Sequence, residues 1–394
     1  MEGVVLAGVH GWGECVLDSV VPRSLVPIAG SSLIMHTLNW LRDGGVRKVK
    51  ICANGDSQVL HDWLGTGSPL NLSLDYYEDR MPRGPAGCAR DAVIDSSASI
   101  FVVVEGTVVP RVDVLDLLSA HRRSGAVLTV VVRQAGAAAR NGQQKLEPAG
   151  IYVFSRTTLS FIPPRGYQDI KETLIPRLYA AGERVDTYRV NQTEVPRVTS
   201  VPGYLAVNQW AVHGLVRGQA TLPGYVRLKE ALIHESARLN ATARFVGPVL
   251  IGPRCRIDED ALIIGPAAIG SDSFVGRQAV VSRSVAWSGC QIGAGAVLDQ
   301  CVLTDGARID DELIIRETVC LPPRASRAGW AERLRSVWAI SRKSKGAGRL
   351  ASAGRAQGPV AIRTREAARA SNTDLKRPGS PPARSASLKE RVDE

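Results

Sequence analysis

A glycine-rich stretch near the N-terminus has residue types that could hold a phosphate group. Residues 6–27 read LAGVHGWGECVLDSVVPRSLVP and follow a short apolar run. Glycine loops of this kind can direct backbone N–H groups at a phosphate, and a basic side chain usually adds positive charge. The stretch contains only one lysine or arginine, Arg23. It therefore predicts the shape of a phosphate-binding loop with little of the charge.

Strand-like and helical segments alternate from this loop to about residue 220. Residues 3–8 and 99–106 are apolar runs typical of buried strands, and residues 32–45 and 112–126 are predicted helices. Such alternation with one glycine-rich first turn is typical of an open sheet with helices on both faces. We expect an α/β domain with a Rossmann-like, doubly wound mixed sheet over residues 1–225.

Residues 226–322 carry a different pattern, in which large apolar residues recur every six positions. Small residues stand four places after most of them, and the pattern slips by one residue after position 281 and again before position 303. The first seven positions of the series are Phe245, Ile251, Ile257, Ile263, Ile269, Val275 and Val281. An ordinary β-domain with chance spacing would not be expected to match seven times in succession. The hexapeptide repeat predicts a triangular parallel β-helix.

The positive charge of the chain is concentrated in its C-terminal tail. The net charge is +11 over 394 residues, and residues 325–394 hold sixteen Lys and Arg against six Asp and Glu. Residues 323–394 are rich in Arg, Ala, Ser, Gly and Pro, which predicts a disordered basic tail. The exception is a short amphipathic helix over residues 329–343, which would either cap the β-helix or contact an anionic membrane surface or a partner. Binding of a specific nucleic acid is not expected, because charge in such a tail would act without sequence selectivity.

The cysteines indicate a reducing compartment. Seven cysteines are scattered along the chain without a CxxC pair, which favours free thiols over disulfides or a zinc site. Neither a signal peptide nor a membrane-spanning run is recognised. We expect a cytoplasmic protein, with peripheral membrane contact through residues 329–343 as an open alternative.

Several motifs resemble those of the sugar-1-phosphate nucleotidyltransferases, the NDP-sugar pyrophosphorylases. Together with the repeats they are most similar to the mannose-1-phosphate guanylyltransferase-like branch, and the resemblance implies that the β-helix is left-handed. The motifs are VVLAG (4–8), PRSLVPIAGSSLI (22–34), MPRGPAGCARDA (81–92), VVVEG (102–106), AGIYVFS (149–155) and VPGYLAVNQWAV (201–212). In that family a sugar-1-phosphate attacks the α-phosphate of a nucleoside triphosphate, and Mg²⁺ and cationic side chains neutralise the charge.

The charged positions of the family motifs are changed in this sequence. The loop arginine falls on Gly13, and the lysine before the LVP segment falls on Arg23. The two metal-binding aspartates fall on Thr107 and Arg197. Magnesium requires oxygen ligands, chiefly carboxylates, which this pair does not supply. The resemblance thus leaves no confident catalytic residue, no metal site and no expected cofactor.

Displaced ligands are the alternative. Glu105 lies two residues before Thr107, on the same face of a strand, and is the fallback metal ligand; Asp18 and Glu14 are further candidates. If one of them holds Mg²⁺, the chain is an active sugar-1-phosphate nucleotidyltransferase with relocated ligands.

Positions at which the family recognises its ligand through main-chain atoms are retained. They are Gly84, Ala86 and Gly87 for the nucleobase, Ala7, Gly8 and Gly11 for the ribose or phosphate, and Gly150 for the sugar. The alternative is that these glycines and alanines are turns needed by the fold alone.

These observations support three competing hypotheses about the function. The leading one is a pseudoenzyme or regulatory subunit that binds a nucleotide sugar or an active paralogue in polysaccharide or glycoconjugate synthesis, with a homo-oligomer expected. The active transferase is the alternative. Acyl transfer by the β-helix is disfavoured, because no histidine lies within the repeats to serve as a general base.

Overall fold

The described residues of the first domain form nine strands and six α-helices. In the computed structural model, residues 1–8, 16–55, 57–79, 81–134, 146–191, 196–218, 222–323 and 361–363 are described. The strands are β1 (Glu2–Leu6), β2 (Pro27–Ile28), β3 (Ser31–Ser32), β4 (Lys48–Ala53), β5 (Ser73–Glu78), β6 (Ile100–Glu105), β7 (Leu128–Gln134), β8 (Leu146–Ser155) and β9 (Val185–Val190). The helices are α1 (Leu33–Asp43), α2 (Ser57–Leu64), α3 (Gly84–Val93), α4 (Val114–Ser124), α5 (Ile175–Ala180) and α6 (Val201–Val216).

Seven of these strands form one mixed sheet in the order β5-β4-β1-β6-β8-β7-β9. Strands β5, β4, β1 and β6 run parallel to one another, β7 runs parallel to β9, and β8 runs antiparallel to both β6 and β7. Because successive side chains point to opposite faces, Val5 packs in the core under α1 whereas Val4 and Leu6 pack in the core under α3. Both faces are covered, so the predicted doubly wound α/β fold is confirmed.

The second domain is a three-sided coil of short strands. They are β10 (Tyr225–Leu228), β11 (Ala231–His234), β12 (Arg238–Leu239), β13 (Arg244–Val246), β14 (Val249–Ile251), β15 (Arg256–Ile257), β16 (Leu262–Ile264), β17 (Ala267–Ile269), β18 (Phe274–Val275), β19 (Val280–Ser282), β20 (Val285–Ala286), β21 (Gln291–Ile292), β22 (Val297–Asp299), β23 (Val302–Leu303), β24 (Arg308–Ile309), β25 (Ile314–Arg316) and β26 (Thr318–Cys320). Every third strand from β11 to β26 joins the same sheet in parallel, which gives the three faces of a β-helix. The left-handed sense of the coil stays a prediction.

The strand register accounts for the slips in the sequence pattern. Ile251 pairs with Ile269, and Ile269 pairs with Ala286, so the coil shortens from eighteen residues to seventeen. The missing residue lies between Val281 and Ala286, and the same shortening recurs before Leu303. The large and small inward residues together form one buried core, as their spacing predicts.

The two domains share a hydrophobic core. Trp287 on the β-helix is 3% exposed, and its indole Nε1 donates a hydrogen bond to the Tyr204 hydroxyl of α6 at 2.8 Å. The same hydroxyl donates to the carbonyl of Pro27 at 2.7 Å. This chain of contacts fixes the turn before β3 against the β-helix.

Within the predicted tail, the structure describes one strand, β27 (Ala361–Arg363), which pairs antiparallel with β26. The sequence predicted no strand there, because three residues are too few to show a period. The helix predicted over 329–343 lies outside the described residues. Among described helices none is long and apolar enough to cross a bilayer. The six described cysteines are buried and free of disulfides.

Candidate functional site

The candidate site lies at one edge of the mixed sheet, where β1, β4 and β6 end. Parallel strands end at the same edge, and β8 brings Gly150 to it from the opposite direction. The N–H groups of Ala7 and Gly8 donate to the carbonyl of Cys52 at 2.7 and 3.1 Å. These two predicted loop donors are therefore used within the fold. Gly11 and Gly13, with Glu14, lie outside the described residues.

The two family metal positions are neighbours in space. An antiparallel bridge joins Val108 to Arg197, and the N–H of Val198 donates to the carbonyl of Thr107 at 2.8 Å. Thr107 and Arg197 therefore lie side by side beyond the end of β6. The structure brings together the residues that the family motifs align, although their chemistry differs from that of two aspartates.

An ion pair fills this position. The Nη2 of Arg197 pairs with Oε2 of Glu105 and lies 3.4 Å from the Thr107 hydroxyl. The other carboxylate oxygen of Glu105, Oε1, accepts a hydrogen bond from the Tyr152 hydroxyl at 3.0 Å. The side chains of Glu105 and Arg197 are only 12% and 17% exposed, so the charges are largely removed from water. Both carboxylate oxygens of Glu105, the fallback metal ligand, are therefore already engaged by Arg197 and Tyr152.

Tyr152 supports the pair as a proton donor. Burial raises the pKa of Tyr152 well above its ordinary value, and the neighbouring charge and hydrogen bond of Glu105 raise that pKa further. The hydroxyl therefore stays protonated and directs its hydrogen at the carboxylate. Sequence reasoning did not single out this residue, although it lies within the AGIYVFS motif.

Gly150 is required by the packing around Glu105. Its φ is +85°, and a Cβ atom there would lie 2.9 Å from the Val108 side chain and 3.2 Å from the Glu105 carboxyl group. A side chain at position 150 would push the carboxylate away from Arg197. Contact of Gly150 with a sugar stays a prediction.

The predicted nucleobase turn is the start of α3. The N–H groups of Ala86 and Gly87 donate to the carbonyl of Gln168 at 3.0 and 3.4 Å. Gly84 has a φ of +74°, and a Cβ there would lie 2.5 Å from the same carbonyl oxygen. Gln168 is 8% exposed and holds this turn closed, which no motif in the sequence signalled. The role of the turn in binding a nucleobase stays a prediction.

The remaining candidates lie in the segment after the glycine loop. Arg23 begins a short 3₁₀ helix (Arg23–Leu25) and is 8% exposed, so its charge is held inside the fold. Asp18 lies in a second 3₁₀ helix (Val16–Ser19). Across the described ranges, no three His, Cys, Asp or Glu side chains are grouped to hold a metal ion. The guanidinium of Arg197 and the hydroxyl of Thr107 do not fit a divalent cation, since one repels it and the other is a weak ligand.

Comparison with known families agrees with this architecture. Residues 2–153 match the family model described as Nucleotidyl transferase, and residues 228–329 match the GMPPB C-terminal domain. The chain is 23% identical to a mannose-1-phosphate guanylyltransferase of Mycobacterium tuberculosis over 80% of this chain and 83% of the relative. A UTP–glucose-1-phosphate uridylyltransferase of Synechocystis is also 23% identical, over 79% of this chain and 90% of the relative.

Further relatives are named for the same activity, and the similar solved structures include one from a bacterium. The chain is 24% identical to mannose-1-phosphate guanylyltransferase 1 of Arabidopsis thaliana over 81% of this chain and 85% of the relative. The crystal structure of HddC from Yersinia pseudotuberculosis is similar with a TM-score of 0.45 and 16% identity, over 52% of this chain and 97% of that one. The chain thus combines a match to a nucleotidyl transferase domain with a match to a GMPPB C-terminal domain, and its relatives over most of its length are sugar-1-phosphate nucleotidyltransferases.

Proposed function

We propose that this chain is a regulatory member of its family that binds a nucleotide sugar without converting it. The observation that carries the proposal is the Arg197–Glu105 ion pair, which lies beside Thr107 and places a guanidinium at one of the two family metal positions. A pair of aspartates would attract a divalent cation there, whereas the guanidinium places a fixed positive charge at the same point.

The fixed charge supports binding of a diphosphate group. A guanidinium has five N–H donors, and the structure shows contacts of Nη2 to Glu105 and Thr107. Nε is buried and has no hydrogen-bond partner among the described residues. A phosphate oxygen that reaches it would satisfy this donor, and a second phosphate oxygen suits the remaining guanidinium N–H groups in a planar, forked arrangement.

Without a bound metal ion, the transition state for nucleotidyl transfer is not stabilised. Departure of pyrophosphate needs charge stabilisation at the transition state, and removing one preorganised donor typically costs about 10²- to 10³-fold in rate. One guanidinium, already engaged by Glu105, does not replace a divalent cation and the carboxylates that position it. Ligand binding is therefore retained in this proposal and turnover is lost.

The activities for which the relatives are named suggest which ligands to test. Several are mannose-1-phosphate guanylyltransferases and one is a uridylyltransferase, so we propose GDP-mannose as the first probe and UDP-glucose as the second. We further propose that the chain acts in the cytoplasm, where buried free thiols persist, as a homo-oligomer or beside an active paralogue.

Release of pyrophosphate tests the proposal against the active alternative. The full chain is incubated with Mg²⁺, each nucleoside triphosphate and a panel of sugar 1-phosphates, while binding of GDP-mannose and UDP-glucose is measured by calorimetry. We expect saturable binding of one nucleotide sugar and no pyrophosphate above the protein-free blank. Turnover that survives repurification and disappears in Glu105→Gln would establish the active transferase instead.

A further inference from the structure

A second group of arginines surrounds a cleft near the C-terminal end of α3. The cleft has a volume of about 470 Å³ and lies between α3, a 3₁₀ helix (Arg156–Phe161), the following loop and α5. Arg90, Arg156 and Arg177 line it, above an apolar floor that includes Leu159 and Ile162. Among the described residues, no acidic side chain lines the cleft.

Two of these arginines are held in place by neutral acceptors. Arg156 donates to the carbonyl groups of Ile94, Ser96 and Ala98 just beyond α3. Arg177 uses Nη1 for both the carbonyl of Phe161 at 3.0 Å and the side-chain oxygen of Gln168 at 3.1 Å. Carbonyl and amide oxygens orient a guanidinium without neutralising its charge. The side chains are thus preorganised and still cationic.

The third arginine, Arg90, shares its carboxylate partner with Arg83. Arg90 donates from Nη1 to Oδ1 of Asp91 at 2.6 Å, and Oδ2 of the same carboxylate pairs with Arg83 at 3.0 Å. The Nε of Arg90 is buried and has no hydrogen-bond partner among the described residues. One carboxylate therefore serves two guanidinium groups, and the cleft keeps a surplus of positive charge.

We propose that this cleft binds a phosphorylated small molecule at a site separate from the Arg197 site. Fixed guanidinium groups, of which those of Arg90 and Arg177 belong to half-buried residues, are suited to phosphate oxygens, and the apolar floor can cover the organic part of the ligand. Gln168 links the cleft to the start of α3, because its side chain accepts a hydrogen bond from Arg177 and its carbonyl accepts from the N–H groups of the predicted nucleobase turn. The binding claim itself does not depend on the proposed function.

Titration with inorganic pyrophosphate by calorimetry tests the inference. Arg197→Gln removes the other candidate anion site, and cleft binding should persist in that variant. In the Arg197→Gln background, Arg90→Gln and Arg177→Gln should each weaken pyrophosphate binding roughly tenfold or more, by loss of a charge-assisted hydrogen bond. Arg122→Gln, at an exposed position on α4, is the matched control and should leave the affinity unchanged.

A variant that keeps the three arginines of the cleft is the control for misfolding. Ser160 is an exposed residue lining the cleft, and Ser160→Glu adds a negative charge without removing a structural contact of the arginines. In the Arg197→Gln background, we expect Ser160→Glu to melt like its parent and to lose pyrophosphate binding. The inference is overturned if wild type does not bind pyrophosphate, if folded Arg197→Gln binds none, or if folded Arg197→Gln/Ser160→Glu binds as tightly as Arg197→Gln.

Discussion

The guanidinium of Arg197 forms an ion pair with the carboxylate of Glu105, although the two residues lie 92 positions apart in the chain. The pair lies at the end of β6, and Arg197 and the neighbouring Thr107 are the two positions at which the family motifs have aspartates. The guanidinium of Arg197 thus places a positive charge at a position where the family motifs have a metal-binding aspartate. This relationship underlies the proposal that the site recognises a diphosphate and does not transfer it.

The first prediction concerns the stability of this pair. Replacing Arg197 with Met leaves the carboxylate of Glu105 buried without its cation, which should lower the free energy of unfolding by about 3–5 kcal/mol. In the double variant Glu105→Gln/Arg197→Met the loss should be smaller than the sum of the single losses. Urea unfolding of the four proteins of the cycle measures the coupling.

An exposed ion pair provides the control for that cycle. The side chains of Arg254 and Asp272 are 49% and 43% exposed, and Arg254→Met should cost less than about 1 kcal/mol. Equal losses in Arg197→Met and Arg254→Met would show that the Glu105 carboxylate is not held by the guanidinium.

A second prediction concerns restoration of a metal site. Thr107→Asp combined with Arg197→Asp places two carboxylates next to Glu105 and removes the competing cation. Saturating Mn²⁺ should then raise the melting temperature, because a ligand at a hundred times its Kd stabilises by about 2.7 kcal/mol. The isosteric pair Thr107→Asn/Arg197→Asn and the wild-type protein should not respond. A Mn²⁺ response in wild type of the same size would mean that the native residues already bind the ion.

The contact between the domains leads to a third prediction. Trp287→Phe removes the hydrogen bond to Tyr204 and part of a fully packed side chain, so the free energy of unfolding should fall by about 1–3 kcal/mol. Trp63→Phe, at a half-buried position on α2, is the control and should cost less. Chemical unfolding followed by circular dichroism compares the two, and an equal loss would contradict a special role for the interface tryptophan.

A fourth prediction concerns pH. His121 is 2% exposed, and burial, followed by the charge of Arg122, lowers its pKa. The unfolded chain therefore binds a proton at a higher pH than the folded chain does, so stability is complete above the unfolded value of about 6.5 and is lost as pH falls through it. His121→Gln should reduce the difference in unfolding free energy between about pH 7.5 and about pH 5.5 by up to about 1 kcal/mol. An unchanged pH dependence in this variant would show that His121 is not held neutral.

The regular parts of the fold could be predicted from the sequence because their signals are local. The apolar run at residues 99–106 corresponds to β6, and the six-residue spacing from Phe245 to Val281 corresponds to successive faces of the β-helix. Because β6 is buried on both faces, all of its residues before Glu105 are apolar. In the coil, large and small inward residues alternate along the chain. Such patterns require only neighbouring residues.

The site could be predicted only in part, because its decisive contacts are distant in sequence. The motif alignment identified Thr107 and Arg197, yet no local pattern links Arg197 to Glu105 or Tyr152. The sequence at the start of α3 predicts a glycine turn, because Gly84 and its small neighbours lack the large apolar residues whose spacing would indicate a helix. The closure of this turn by Gln168 follows from packing alone.

Dependence of ligand binding on a divalent cation is the most direct test of the central claim. Calorimetric titration of the full chain with GDP-mannose is carried out once with Mg²⁺ and once with EDTA, and UDP-glucose is treated in the same way. A built-in guanidinium predicts saturable binding with the same affinity in both buffers, and loss of that binding in Arg197→Gln. Binding that appears only with Mg²⁺, or that survives unchanged in Arg197→Gln, would contradict the account.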